Sequence, residues 1–526
     1  MTSVWESAAN RGGLVRSFER LLADHLVLVN RAAKTIFALA LLFPFVFDLT
    51  SEEFHGDESH WLTSSQLAFE LFASREFNSD VWQEQFYLYS QPQVGKLAIG
   101  TSLAVGGIYG ATDVIEYDWL LDPEANRERG AIPATHALWF ARLPGAVAGW
   151  VGALVLWLLI AEMGHGEVGM LAGALLGSDP IWLANSRRAG MDAIAISFGL
   201  IATFAALRLV RSHRPLWWFA FGGALGLTVA TKYTGLFAAA GAVLPLFVVL
   251  IRQNPPWGFA RVMVQALGAL CIAIAVVVGL NPSLYRNPVH GLTRSVQFFQ
   301  DQATAMRSSF PVFQSRLLTA LEIVDRVIWP IGIPVIIDTT LEREPDDHMR
   351  HLSPGQYGTP VIGTGIALAI IAVGVATHTR RRTALWSLGH FGVVWFALCF
   401  GALAVSLPIW WERWHLGLVP ATCVVAAVGL AAVSRAVMVA SGVAQVVASL
   451  TIGSSYLNHG FWDLLSTPVG AGFHATMAGA IIGSALIAAK LPERLRGTPG
   501  LAKFFARYLE KGVGVVWRRK EVSWHG

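Results

Sequence analysis

The sequence predicts an all-α polytopic membrane protein, and two observations carry that prediction. Hydrophobic residues make up 54% of the 526 positions and charged residues only 14%, against about 25% charged in ordinary soluble domains, and mean hydropathy is +0.51. Apolar runs close to the length that a helix needs to cross a bilayer, about 20 residues, recur along most of the chain. The 39 Lys and Arg against 35 Asp and Glu leave a net charge of +4. That excess is too small to imply a nucleic-acid partner, so the sorting of charge along the chain matters more than the sum. Cys271, Cys399 and Cys423 all fall inside apolar runs. They are expected to be small buried hydrophobes, with no disulfide and no Cys-based metal site.

Taken in order, residues 1–34 are expected to be a cytoplasmic segment. They carry Arg11, Arg16, Arg20, Arg31 and Lys34, too long and too charged a stretch for a cleavable signal peptide. A transmembrane domain is expected over 35–489, with about twelve spans near 35–49, 143–161, 168–184, 193–209, 216–231, 235–251, 262–280, 361–377, 385–405, 415–433, 436–453 and 471–489. The first contains Pro44 and is short, so it draws on the Val27–Ala33 stretch. Leu97–Tyr109 decides the topology, because counting it as a span inverts every later loop. If it does not cross, RLVRSHRP (208–215), the Arg252–Arg261 turn, HTRRR (378–382) and the basic tail 490–526 all lie on the N-terminal side, as the positive-inside rule requires. Both termini are then cytoplasmic.

Two loops become external on that topology, 50–142 and 281–360. The first carries WLTSSQLAFELF (61–72), whose Trp61, Leu62, Leu67, Leu71 and Phe72 predict an amphipathic juxtamembrane helix lying on the membrane. The second has amphipathic stretches at Val296–Met306 and Leu317–Val327, then the Pro-broken piece WPIGIPVII. No repeat or flexible linker is visible, so the loops are expected to pack on a single membrane domain.

Charged residues at helix ends in a membrane are costly to gather unless they pair or bind something. Here they gather on the expected external face: His55, Asp57, Glu58 and His60 in HGDESH, Lys96 in QPQVGK, Arg142 in ARLPG, Arg187, Arg188 and Asp192 in SRRAGMD, Lys232 beside Tyr233 in TKYTG, and Arg413 in WWERWH. Acids beside several cations are what deprotonating an acceptor and holding an anionic leaving group require. Each residue also has a plainer reading. Asp57 and Glu58 read equally as solvated loop acids, and Lys96, Arg142 and Lys232 as snorkelling cations at helix ends. Asp192 opens a helix as a cap would. Arg413 fits an aromatic interfacial belt with Trp410, Trp411 and Trp414. Arg187 and Arg188 lie outside against the charge rule, as residues retained by Asp192 or a phosphate would. His55 and His60 could join the two acids around a divalent cation, although HGDESH is no recognised ligand spacing.

FHGDESHW followed by YSQPQVGKLAIG resembles the Asp-Glu and Gly-Lys pair in the first external loop of protein O-mannosyltransferases. With ARLPGAVAG, RRAGMDAIAISF and GLTVATKYTGL in the same order, the chain is similar to the wider polyprenyl-phosphate-sugar transferase group that includes the lipid A aminoarabinose transferases. The match runs from Phe54 to Leu236; beyond it only RWHLGLVPA corresponds. The resemblance implies a GT-C fold with a catalytic first external loop. It implies an inverting glycosyltransferase moving one sugar, mannose or similar, from a polyprenyl-phosphate donor to a hydroxyl of a protein, lipid or glycan acceptor. Asp57 then takes the catalytic position, with Glu58 beside it. Lys96, Arg142, Arg187, Arg188, Lys232 and Arg413 are implied for the donor phosphate, and His60, Gln91, Asp192 and Tyr233 for sugar or acceptor. No cofactor is obligatory. The motif's His-Pro-Pro reads Gln91-Pro92-Gln93, and the second loop has no room for a β-trefoil MIR domain, which points to a bacterial-type enzyme in the plasma membrane. A transporter or lipid flippase is the rival, but transporters commonly show repeated halves and midplane charges.

Overall fold

The computed structural model describes residues 31–32, 34–52, 54–109, 116–118, 121–212, 214–236, 238–239, 241, 243, 256–309, 315–328, 366, 369, 384–407 and 412–433. The segment up to residue 30 that is expected to be cytoplasmic, the spans expected near 436–453 and 471–489, most of those near 235–251 and 361–377, the WPIGIPVII piece and the basic tail fall outside them. The chain divides into two compact units, Met1–Ala38 with Ala480–Gly526, and Leu39–Gly479. The packing and the site described below belong to the second.

Among the described residues helices are the only regular structure. The longer ones are α1 (Lys34–Val46), α2 (Asp57–Ala73), α3 (Val94–Val105), α4 (Thr135–Glu162), α5 (Gly166–Gly177), α6 (Pro180–Arg187), α7 (Asp192–Ser212), α8 (Leu216–Thr231), α9 (Pro256–Gly279), α10 (Pro288–Ser309), α11 (Arg316–Ile323), α12 (Ala384–Ser406) and α13 (Val419–Val433). Among the described residues four stretches are long and apolar enough to cross a membrane: Thr135–Glu162, Asp192–Ser212, Val262–Gly279 and Leu388–Ser406. Leu97–Tyr109 forms most of α3, which at 12 residues is about 18 Å long, too short to cross a hydrocarbon core. The span expected at 168–184 is not one helix. Asp179 accepts a hydrogen bond from Trp182 N at 2.9 Å as an N-cap and Pro180 starts a new helix, so α5 stops and α6 begins.

The helices touch through small residues, as in lipid where apolar burial alone does not drive association. On α4, Gly145, Gly149 and Gly152 face Ser186, Trp182 and Ser197. Trp182 donates to Gly149 O at 3.0 Å and Ser197 to Ala148 O at 2.6 Å. Pro144 lies inside α4 and has no N–H to give to the carbonyl one turn back. Ser102 Oγ takes that carbonyl, Phe140 O, at 2.6 Å, which ties α3 to α4. Cys399 and Cys423 are buried as expected, but Cys271 is exposed. It lies on the outward side of α9 with Leu267, Leu270 and Ile274, where an apolar helix facing lipid needs no cover.

The helix expected at 61–72 forms as α2. Its Leu62 packs with Ile99, Leu103, Ala137, Ala141 and Ala189, and Leu71 with Trp82 and Leu88, so its inner face is built against α3. Gly100 is the closest point: a Cβ there would run into the Ser65 carbonyl and Phe69 Cβ. Gly100→Ala is therefore expected to destabilise by about 1–3 kcal/mol, read as a lower thermal midpoint in detergent, whereas Gly223→Ala, which meets nothing within 4 Å, is expected to leave it unchanged.

Candidate active site

The start of α2 brings two adjacent carboxylates to different surroundings. Glu58 is 1% exposed and its oxygens accept four hydrogen bonds: from Arg142 Nε at 2.9 Å, Arg142 NH2 at 2.8 Å, His55 N at 2.9 Å and Ala189 N at 2.7 Å. Arg142 is fully buried, and its NH1 donates to Leu49 O at 2.9 Å and Glu52 O at 2.8 Å. The pair is bidentate and surrounded by backbone partners, the condition under which buried opposite charges are tolerated. Glu58 has no hydrogen-bonding capacity left with which to take a substrate proton.

Two more expected site residues serve the backbone. Arg187 donates from NH1 to Pro44 O at 2.7 Å and Phe47 O at 2.8 Å, and from NH2 to Asp48 O at 2.7 Å, capping the carbonyls at and just past the end of α1. Glu52, buried and absent from the sequence reading, lies 3.4 Å from Arg187 and 3.9 Å from Arg188. Lys96 is fully buried, donating to Gln91 O at 2.8 Å and Leu88 O at 3.2 Å. Burial pushes its ammonium well below the usual lysine range. It thus holds the turn that presents Ser90 and Gln91.

Asp57, one residue before Glu58, turns into an open cleft. Its carboxylate pairs with Arg413 and lies 4.0 Å from His55 Nδ1. Burial lowers the Arg413 guanidinium to about 10, which leaves it a cation at neutral pH. Beside them Lys232 Nζ donates to Asp192 Oδ2 at 2.8 Å. A cavity of about 240 Å³ opens here, lined by Asp57, Asp192, Lys232, Arg413, His60, Gln91 and Thr234, and by the rings of Trp61, Phe86, Tyr87, Phe298, Phe299 and Trp414. Tyr233 packs edge-on against Phe299 with ring centres 5.7 Å apart. A second, smaller compartment adjoins it, lined by His55, Glu58, Asn185, Arg188, Ala189 and Gly190, and shares Asp57, Trp61, Asp192 and Arg413 with the first.

Residues from five separate motifs therefore converge: HGDESH, QPQVGK, SRRAGMD, TKYTG and WWERWH. The aromatic wall from α10 was not anticipated. Phe298 and Phe299 belong to a stretch whose periodicity marks a helix without saying which face meets a cavity. Among the described residues no three His, Cys, Asp or Glu side chains come together as a metal set; Asp57 and Glu58, the acids suggested for one, answer to Arg413 and Arg142.

Fold and cleft define a polytopic helical membrane protein with a paired-ion site. Residues 134–280 match the family model described as dolichyl-phosphate-mannose-protein mannosyltransferase, a stretch that includes Arg142, Arg187, Arg188, Asp192 and Lys232. The putative mannosyltransferase YkcB of Bacillus subtilis (strain 168) is 28% identical over 140 residues, 26% of this chain and 19% of the relative, so the chain spans about a fifth of that relative's length. ArnT from Cupriavidus metallidurans is similar in its apo state (TM-score 0.46, 16% identity) and bound to undecaprenyl phosphate (TM-score 0.45, 15% identity), each over 89% of this chain and 74% of that one. The resemblance seen in the motifs to the mannosyltransferases is met by the family match over residues 134–280.

Two outcomes follow from these contacts. Removing one partner of a buried ion pair strands the other, at a cost of about 3–5 kcal/mol, so Glu58→Gln is expected to lower folded yield and thermal midpoint sharply. Asp57→Asn, at the cleft wall, is expected to spare both. The second concerns pH. His60 stacks on Tyr87 at 4.5 Å and lies 3.5 Å from Glu116. Burial holds its imidazole below the ordinary value of 6.5, the nearby Glu116 opposing, and burial lifts the Tyr87 phenol to about 12. With a depressed folded value, the contribution of neutral His60 to stability is present above 6.5 and lost as pH falls through the folded value. His60→Gln is expected to lessen the drop in thermal midpoint between about pH 7 and about pH 5.

Proposed function

We propose that the chain is an inverting membrane glycosyltransferase that moves one sugar, mannose or similar, from a polyprenyl-phosphate donor to a hydroxyl. The observation that carries this reading is the Asp57 carboxylate at the wall of a 240 Å³ cavity that also holds Lys232 and Arg413. A base, fixed cations and room for a sugar phosphate occur together. The family match and the YkcB relative support the same class, and ArnT from Cupriavidus metallidurans binds undecaprenyl phosphate.

In this reading the donor sugar occupies the cavity and its phosphate lies against Lys232 and Arg413. The polyprenyl chain leaves along Phe86, Phe298 and Phe299. The acceptor oxygen attacks the anomeric carbon from the side opposite the phosphate, and Asp57 takes its proton. The carbon–oxygen bond to phosphate breaks with its electron pair going to phosphate, so polyprenyl phosphate departs and the anomeric configuration inverts. Preorganised cations stabilise that developing charge. Glu58 and Arg142 act by orienting Asp57, and Lys96 by holding the Ser90–Gln91 turn, with Gln91 and His60 toward the sugar. The acceptor is a protein, lipid or glycan hydroxyl, and the cleft faces outward from a bacterial plasma membrane with both termini cytoplasmic.

Purified protein given radiolabelled polyprenyl-phosphate mannose and a cell-envelope extract is expected to transfer label. Asp57→Asn is expected to lower the rate by about 10²–10⁴-fold with binding of polyprenyl phosphate retained. Lys232→Ala is expected to weaken that binding. Full activity in Asp57→Asn would remove the base role.

A further inference from the structure

We infer that Arg307 and Arg316 form a second anion site, outside the cleft, that holds the phosphate of an anionic membrane phospholipid. The two side chains arrive from different helices at the end of α12. Arg307, in the last turn of α10, donates from NH2 to Val405 O at 3.1 Å and Ser406 O at 2.8 Å, and Arg316, which opens α11, donates from NH1 to the same Val405 O. Capping α12 accounts for one of them, since Arg307 alone reaches both carbonyls. The second adds a like charge. A helix end offers about half a negative charge against the two positive ones, and among the described residues no carboxylate pairs with either arginine. Their neighbours on the same stretch are matched: Arg286 pairs with Asp80, and Arg294 lies over the Tyr89 ring. Burial and the charge of Arg316 beside it both lower the Arg307 guanidinium from its ordinary value, and its Nε is buried without a partner. Two guanidinium forks with donors to spare suit phosphate oxygens, which accept parallel N–H groups from arginine.

Position says which phosphate. Leu388–Ser406 is long and apolar enough to cross a membrane, so its end, where both arginines lie, is at headgroup depth. Leading up to them, Val394, Ala397, Leu398, Gly401 and Val405 form an exposed stripe on one face of α12, about 16 Å long. Leu317 and Leu321 are exposed on α11, which packs against α12. An apolar face that ends at two unmatched cations complements a lipid whose acyl chains end at a phosphate. Neither arginine lines the cleft. Gln302 of α10, which does, lies five residues before Arg307, about 7–8 Å along the helix. The site therefore stands apart from Lys232 and Arg413, and it does not depend on the glycosyltransferase reading.

The test uses the full-length protein in detergent, with bound lipid counted by native mass spectrometry. The titrants are dioleoylphosphatidylglycerol and dioleoylglycerol, which has the same acyl chains and no phosphate. The phosphate-bearing lipid is expected to bind more tightly by about tenfold or more. Arg316→Gln leaves Arg307 on both carbonyls, so the lipid-free thermal midpoint is expected to hold. Its affinity for phosphatidylglycerol is expected to fall about tenfold, with affinity for undecaprenyl phosphate unchanged. Arg316→Lys, which keeps the charge and loses the fork, is expected to fall between. Equal binding of the two lipids by the wild type, or wild-type phosphatidylglycerol affinity in Arg316→Gln, overturns the assignment. A parallel loss of undecaprenyl-phosphate affinity gives the site to the sugar carrier and overturns the choice of a phospholipid.

Discussion

The fully buried ion pair between Glu58 and Arg142 is the constraint on which the rest of the site depends. A lone charge taken out of water costs several kcal/mol, and its opposite repays that only with good geometry and with every remaining donor and acceptor used. Here the carboxylate takes four hydrogen bonds and the guanidinium reaches two further carbonyls. Those partners come from three places in the chain: the loop from Leu49 to Glu58, α4, and Ala189 just before α7. Satisfying one charge thereby fixes the entry of α2 against two helices. The orientation of Asp57 follows, because its neighbour in the first helical turn is locked.

The same economy of polar groups explains why so many cations, buried or at the surface, turn onto carbonyls. The helices around the cleft are short or interrupted, and each interruption leaves carbonyls without an intrahelical donor. In a membrane protein water is not available to replace it. Arg187 covers Pro44, Phe47 and Asp48, and Lys96 covers Leu88 and Gln91. Arg307 covers Val405 and Ser406 at the end of α12, and Arg316 joins it at Val405. Broken helices let a first-loop carboxylate, a residue of α7 and a late arginine meet, and basic side chains make the breaks tolerable.

That double use of cations marks the boundary of what was legible beforehand. Helical membrane architecture follows from apolar run length, and the ends of α7, α8 and α12 lie within a few residues of the expectation. The break between α5 and α6 is legible in principle, since Asp179-Pro180 is a cap followed by a first-turn proline, but the apolar residues on both sides of it together have the length of one span. At the site, the motifs identify the right stretches and stay silent on partners. Asp57 and Glu58 are adjacent and chemically alike, yet one faces a cleft and the other an arginine 84 positions away. Lys96, Arg142 and Arg187 read like Lys232 and Arg413 as charges, and differ only in which carbonyls or carboxylates the tertiary fold sets before them. Glu52 carried no motif; only its two arginines give it meaning.

The cleft's charges are arranged as pairs, and that has a chemical consequence for the proposed reaction. Arg413 with Asp57 and Lys232 with Asp192 each set a cation against a carboxylate of the same wall. A phosphate entering the larger compartment must compete with those carboxylates for the same cations, so the attraction it gains is reduced by the pairing it breaks. The exchange is nonetheless well matched. The cation that turns toward phosphate releases the carboxylate nearest the reacting carbon, and a carboxylate released from an arginine is a better proton acceptor than one held by it. Holding the leaving group and readying the base are then a single electrostatic event.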